Sequence, residues 1–187
     1  MFIFTIFENS LTILRSPANV IGLLWCEMTG SLSWPSLLKR GSEWSHVAAV
    51  PRSRAEEFAS TAPQRKHAAV RILRGNKCST REDLLEEFSR ALDFPHYYSR
   101  NWDSLEECLT DLEWLSAEAF VLIITNADQV LKSSPGDMKK LAGILASSAA
   151  HWNSADSPAS FHCLFQCEPG SADDLTSRLA GAGIPTS

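Results

Sequence analysis

The chain of 187 residues lacks several features that mark common protein classes. No run of about 20 apolar residues occurs, which is the length that a helix needs to cross a membrane. The apolar MFIFTIF segment at the start has no basic flank and ends at Glu8, unlike a secretory signal. Neither GxGxxG nor GxxxxGK[ST], two glycine-rich loops that bind phosphate groups, is present. These absences disfavour a membrane protein, a secreted protein and a nucleotide-binding enzyme.

Cysteine and positive charge are both scarce. The cysteines form an odd number without close spacing, which predicts reduced, mostly buried thiols in a cytoplasmic protein. They are Cys26, Cys78, Cys108, Cys163 and Cys167. The 22 acidic side chains outnumber the 17 Lys and Arg, so the net charge is -5. Since a nucleic-acid-binding surface normally needs clustered positive charge, we expect no direct nucleic-acid partner, no membrane partner, and a basic protein as the partner.

The chain divides into two regions of different character. Hydrophobic residues make up 44% of it, which is enough for one domain with a substantial core. Residues 1–67 mix short apolar runs with Gly, Ser and Pro, and include Trp25, Trp34 and Trp44. We predict that they form an N-terminal extension of strands or irregular structure, packed on the main domain. A soft boundary at residues 60–67 leaves 68–187 as that domain.

From residue 68 onwards, short apolar runs alternate with amphipathic segments. HAAVRILRG, AFVLIIT and SFHCLFQC read as strands, the last two covered on both faces. Between them, Thr80 is predicted to cap one helix, with Asp83 three residues on, and Pro135 to open another. A further C-terminal helix is predicted to end with Gly181 as its cap. Strands alternating with helices predict an α/β fold with a small parallel sheet flanked by helices.

The segment PHYYSRNWDSLEECLTDLEW, residues 95–114, has a distinctive charge pattern. With Asn101 as the N-cap of a helix, four apolar residues share one face: Leu105, Cys108, Leu109 and Leu112. The charged residues of the opposite side are all acids: Asp103, Glu106, Glu107 and Asp111. Exposed helix faces usually mix charges, because a like pair at i, i+4 costs about 0.2 to 0.5 kcal/mol. Over residues 91–118, one arginine, Arg100, accompanies seven acids.

This one-signed face lies beside Tyr97, Tyr98 and Trp102. Aromatic residues next to carboxylates are typical of a protein-binding surface, so we predict that the helix binds a basic partner. The alternative is a solvated helix face with the aromatic residues packed in the core. The sequence alone leaves both open.

Catalysis is the less favoured interpretation. Cys163 and Cys167 lie within an apolar strand, the histidines are scattered, and no second ligand pair at zinc spacing occurs. Asp103 with Glu107 could act as an acid/base pair or bind Mg²⁺, but neighbours on an exposed helix stripe lack evident desolvation. We therefore predict no enzymatic activity, no metal and no cofactor.

FPHYYSRNWDSLEECL, with its preceding strand and DLLEEFSRAL helix, resembles the barstar family of intracellular ribonuclease inhibitors over about residues 68–166. The resemblance implies a three-stranded parallel sheet flanked by helices, with a helix and loop that block the active site of a small basic ribonuclease. By motif position, Tyr97 matches the loop tyrosine that contacts the enzyme, Asn101 the helix-start asparagine, and Asp103 and Glu107 the inhibitory acids. These carboxylates would occupy the cationic site for the substrate's phosphate. Three further residues complete the predicted partner-binding set: Trp102, Glu106 and Asp111.

Several positions depart from the family pattern. Glu107 stands where the best-known member has Asp, Ser99 replaces the loop glycine, and Glu106 replaces a tryptophan. No acid near His151 and Trp152 matches the one that the later helix contributes in the family. The alternative function is therefore a binding or immunity module of the same fold for a different basic toxin or regulatory protein.

Overall fold

The computed structural model describes residues 33–39, 41, 43–63 and 67–186. Within these residues lies a parallel sheet with strand order β1-β4-β3-β2. The strands are β1 (Ser45–Ala49), β2 (Ala69–Arg74), β3 (Ala119–Thr125) and β4 (Ser160–Cys167). The predicted α/β class, with a parallel sheet flanked by helices, is confirmed.

The prediction of three strands was wrong, because β1 adds a fourth beside β4. β1 has the sequence SHVAA, which is short, rich in alanine and only partly buried, so its strand signal is weak. It also precedes the region that resembles the barstar family. The division of the chain at residues 67 and 68 stays a prediction, as does the packing of the whole extension; Trp25 and Cys26 lie outside the described residues.

Helices flank the sheet and 3₁₀ turns connect several of the elements. The helices are α1 (Trp34–Leu37), α2 (Arg52–Ser60), α3 (Arg81–Leu92), α4 (Trp102–Asp111), α5 (Met138–Trp152) and α6 (Ala172–Ala182). The 3₁₀ turns are Gly75–Lys77, Glu113–Leu115, Ala127–Gln129, Pro135–Asp137 and Pro169–Ser171. The predicted helix start at Pro135 is thus a 3₁₀ turn that leads directly into α5.

Local signals set most helix boundaries. Thr80 Oγ1 accepts a hydrogen bond of 3.2 Å from the Asp83 backbone N–H, so the predicted cap of α3 is confirmed. The predicted cap of α6 was wrong: the helix continues through Gly181, and Gly183 follows it with φ of 92°. After Gly183, the Ile184 backbone N–H donates to the Leu179 carbonyl as the chain leaves the helix.

The two central strands are buried along their whole length, as their continuous apolar sequences predict. On one face of the sheet, residues such as Leu122 and Phe165 join the large core formed with α3, α4, α5 and α6. On the other face, Ile123 and Leu164 pack with Phe58 of α2 in a smaller core. The sheet is therefore covered on both sides.

Polar side chains of β4 interrupt the smaller core and are satisfied by the N-terminal segment. Ser160 Oγ donates to the Leu37 carbonyl at 3.0 Å. His162 Nε2 lies 3.2 Å from the Lys39 carbonyl oxygen, and Gln166 Nε2 donates to the Val50 carbonyl at 2.7 Å. Because a buried polar group without a partner costs about 1 to 3 kcal/mol, the carbonyls of Leu37, Lys39 and Val50 are needed where they lie.

A histidine pair joins β1 to β4, with His162 buried and His46 half-buried. The Nε2 atom of His46 lies 3.3 Å from Nδ1 of His162. Since a carbonyl oxygen only accepts, His162 Nε2 donates to Lys39, which leaves Nδ1 to accept from His46. Burial, and then the neighbouring His46, lower the pKa of His162 to about 4. Burial also lowers the pKa of His46.

We expect the free energy of unfolding to fall as the pH drops from about 6.5 to 4. In this window the unfolded histidine binds a proton that native His162 excludes, so stability present above pH 6.5 is lost on acidification. A shift from 6.5 to about 4 corresponds to roughly 3 kcal/mol. Urea unfolding at several pH values measures the slope.

The matched control is His162→Gln, whose side-chain amide can still donate to the Lys39 carbonyl but does not titrate. Its stability should change less between pH 6.5 and 4.5. Hydrogen bonds from Arg90 and Arg74 outweigh burial and hold the pKa of Glu87 at about 2. Glu87 therefore changes the pH dependence of stability at lower pH than His162 does. Equal slopes for the wild type and His162→Gln would contradict the assignment.

Candidate protein-binding site

Helix α4 begins and ends at well-defined points. Asn101 Oδ1 accepts a hydrogen bond of 2.8 Å from the Ser104 backbone N–H, which confirms Asn101 as the N-cap. The helix ends at Asp111, and the next residue, Leu112, has a left-handed φ of 42°. The four apolar residues that the spacing places on one face are all buried: Leu105, Cys108, Leu109 and Leu112.

Helix α5 fixes the orientation of α4. The two helices pack side by side, and Trp152 Nε1 of α5 donates a hydrogen bond of 2.8 Å to the Leu109 carbonyl. Trp152 is itself buried against Phe120, with ring centroids 4.7 Å apart. With its apolar face held in this way, α4 presents its acidic residues outward.

The carboxylates of α4 differ in exposure. Asp103 and Glu107 are exposed, whereas Glu106 and Asp111 are half-buried on the flanks. In the part of the chain that the structure describes, no Lys, Arg or His forms an ion pair with any of the four. The charge of the outer face is therefore not neutralised by these residues.

Arg100, the one arginine within residues 91–118, is directed away from the acids of α4. Its Nε lies 2.6 Å from Glu86 Oε2 of α3, and both side chains are largely exposed. Sequence reasoning missed Glu86, because the pair joins two different elements and no local spacing reveals it. The positive charge at this edge is compensated without using any carboxylate of α4.

The aromatic residues of the preceding loop have unequal roles. Tyr97 is 47% exposed. Tyr98 is half-buried: its hydroxyl donates to the Leu85 carbonyl at 3.2 Å, and its ring lies 4.7 Å from that of Phe94. Trp102 is half-buried against the large core. Tyr97 is thus the aromatic ring of this group that is most available to a partner.

Hydrogen bonds hold the loop against the helix. The Ser99 backbone N–H donates to Ser104 Oγ at 3.0 Å, close to the Asn101 cap. Further along, the Tyr97 hydroxyl donates to Asp111 Oδ2 at 3.1 Å. Partial burial, and then this hydrogen bond to Asp111, raise the pKa of Tyr97. The sequence carries no signal for this contact, because the two residues are 14 positions apart.

The groups considered for catalysis or metal binding are placed differently. Cys163 and Cys167 are buried free thiols, and burial raises the pKa of each. Among residues 33–39, 41, 43–63 and 67–186, no group of three or more His, Cys, Asp or Glu could hold a metal ion. None of the helices described is long and apolar enough to cross a membrane. Near the end of α5, His151 is exposed.

A family model for barstar (barnase inhibitor) matches residues 68–166, more than half of the chain. The chain belongs to the barstar family. The range that matches barstar contains the loop, α4 and α5, which together build the acidic face. Its limits are also those of the region whose sequence resembles the family.

Solved structures are similar to the chain at low sequence identity. The Aeropyrum pernix ORC2 protein (ADPNP-ADP complexes) has a TM-score of 0.53 and 11% identity, covering 94% of this chain and 47% of that chain. A chain of Drosophila ORC bound to DNA has a TM-score of 0.51 and 15% identity, covering 91% of both chains. A chain of Drosophila ORC bound to AT-rich DNA and Cdc6 has a TM-score of 0.47 and 15% identity, covering 91% of this chain and 55% of that chain.

At these identities, the first two similarities show the fold alone, which is the α/β arrangement already described. The chain spans about half the length of the Aeropyrum protein and of the Drosophila chain in the complex with Cdc6. A search of curated proteins finds no match.

The two faces of α4 should respond oppositely to truncation. We expect Leu105→Ala or Leu109→Ala to lower the free energy of unfolding by about 2 to 5 kcal/mol, because both side chains are fully buried. Asp103→Ala or Glu107→Ala should change it by no more than about 0.5 kcal/mol, since each removes an exposed charge from a like-charged pair. Urea unfolding of the four variants measures the difference. Unfolding of an acid variant would show that its carboxylate is structural.

Proposed function

We propose that this member of the barstar family inhibits a small basic ribonuclease by placing α4 and the preceding loop in the enzyme's active site. The observation that carries the proposal is the acidic outer face, where Asp103 and Glu107 are exposed and unpaired among the described residues. Such carboxylates can accept charge-assisted hydrogen bonds from the Arg, Lys or His groups that bind a substrate's phosphate.

Each site residue has a separate role in the proposal. Asp103 and Glu107 lie one turn apart and form the centre of the contact. Tyr97 supplies an exposed ring beside them, and Trp102 is shared between the core and the interface. Asn101 caps the helix and so fixes where its first acid stands. Glu106 and Asp111 lie on the flanks of the same surface.

The excess of acid also affects the rate of association. Opposite charges steer two proteins together, and this attraction weakens with salt. An inhibitor with this surface would capture a basic nuclease quickly, before it reaches RNA in the cytoplasm. No metal, cofactor or direct nucleic-acid contact is needed for that action.

A second candidate is an immunity module for a different basic toxin. Three departures from the family pattern favour it: Ser99, Glu106 and Glu107. The longer Glu side chain moves the key carboxylate by about an ångström relative to Asp. These changes suit an active site of different shape while the acidic face is retained.

We expect the protein to inhibit at least one member of a panel of small basic ribonucleases in an RNA-cleavage assay. Asp103→Ala and Glu107→Ala should each weaken inhibition by about 10- to 150-fold, the effect of losing a hydrogen bond to a charged group. Asp174→Ala is the matched control, because it removes an exposed carboxylate from α6, which packs on α5 and β1. It should inhibit like the wild type.

Partner capture from the native cell separates the two candidates. A captured ribonuclease whose activity the protein abolishes supports the first, whereas a captured basic toxin without ribonuclease activity supports the second. If no panel enzyme is inhibited and no basic protein is captured, both are wrong.

A further inference from the structure

The loop and the far end of α4 are joined by a single side-chain hydrogen bond. The Tyr97 hydroxyl donates to Asp111 Oδ2 at 3.1 Å. Tyr97 precedes the helix, whereas Asp111 is its last residue, and ten helical residues span about 15 Å. The bond therefore links the loop to the end of α4 that lies farthest from the N-cap.

Asp111 occupies an electrostatically unfavourable position. It lies at the C-terminal end of α4, where the helix dipole opposes negative charge, and Glu107 is four residues earlier. Within the described residues it forms no ion pair with a cation. It is half-buried and so less available to a partner than Asp103 or Glu107. Helix stability does not account for a carboxylate here.

Tyr97 needs an external restraint more than its neighbours do. Tyr98 is held by the Phe94 ring and the Leu85 carbonyl, and Asn101 by Ser104. Tyr97 is 47% exposed, so packing restrains its ring only in part. Its hydroxyl reaches Asp111, and this contact restricts the rotamer of an otherwise exposed ring.

We propose that Asp111 is a positioning residue, whose carboxylate holds the Tyr97 ring in its binding orientation and does not itself contact the partner. This inference rests on the proposed function, since it assigns a role within the same binding surface. A ring that is already oriented loses less conformational freedom on association, so the free protein binds more tightly. Asp111 thus acts on the partner only through Tyr97.

Three substitutions separate charge from hydrogen bonding. Asp111→Asn removes the charge but keeps an oxygen that accepts from Tyr97. Asp111→Ala removes both, and Tyr97→Phe removes the donor while keeping the ring. The Tyr97→Phe, Asp111→Ala pair completes a double-mutant cycle.

The free protein tests the contact without any partner. Three-bond NMR couplings at residue 97 should report one dominant χ1 rotamer in the wild type and in Asp111→Asn, and averaged rotamers in Asp111→Ala. The pKa of Tyr97, raised in part by Asp111, should also fall in Asp111→Ala. Averaged couplings in the wild type would overturn the inference.

Binding to a ribonuclease inhibited by the wild type tests the consequence. We expect Asp111→Ala to weaken binding by about 2- to 10-fold, the cost of ordering one side chain on association. The double variant should bind no more weakly than Tyr97→Phe alone, and Asp111→Asn should bind like the wild type. Equal losses in Asp111→Asn and Asp111→Ala, or additive losses in the cycle, would show that the partner senses Asp111 directly.

Failure of the proposed function gives a different result. If the wild type binds no ribonuclease, that function is wrong, and the NMR couplings of the free protein still decide whether Asp111 orients Tyr97. If a ribonuclease binds but Asp111→Ala has no effect on its affinity, the positioning role alone is overturned.

Discussion

Burial of β3 and β4 on both faces constrains the rest of the described structure. Any polar group on these strands must find a partner inside the protein, because no water reaches it. The helices α3 to α6 cover one face mainly with apolar side chains. Helices α1 and α2 cover the other face. The carbonyls of Leu37, Lys39 and Val50 accept hydrogen bonds from the polar side chains of β4. The N-terminal segment is therefore part of the folded structure wherever it is described.

The same constraint gives α4 its orientation. Leu105 and Leu109 must face the large core, so the remaining side of the helix faces outward. Truncating one such leucine costs about 2 to 5 kcal/mol, whereas a like-charged pair on the surface costs about 0.2 to 0.5 kcal/mol. Core packing thus outweighs the repulsion several times over. The helix therefore stays folded with a surface of one charge sign, because burial of its apolar face stabilises it by more than the repulsion costs.

The sequence predicted the features that depend on local pattern. The strands β3 and β4, the Asn101 cap and the two faces of α4 all follow from the spacing of residue types within a few turns. The fourth strand did not, because Ser45 pairs with Cys163, far along the chain, and β1 has little β-branched character of its own. Contacts such as Arg100 with Glu86 were invisible for the same reason: they form between elements, where sequence spacing has no meaning.

The four acids of the outer face of α4 differ in their exposure to solvent. Arg100 lies at one edge of the surface, but Glu86 compensates its charge, so it does not neutralise the carboxylates of α4. Glu106 and Asp111 are half-buried, which leaves Asp103 and Glu107 as the most exposed acids of the helix. Because two exposed carboxylates one turn apart concentrate negative charge in a small area, they match a compact cationic pocket better than an extended basic surface. The distribution of exposure, more than the number of acids, supports the proposal that the partner surface is the active site of a basic enzyme.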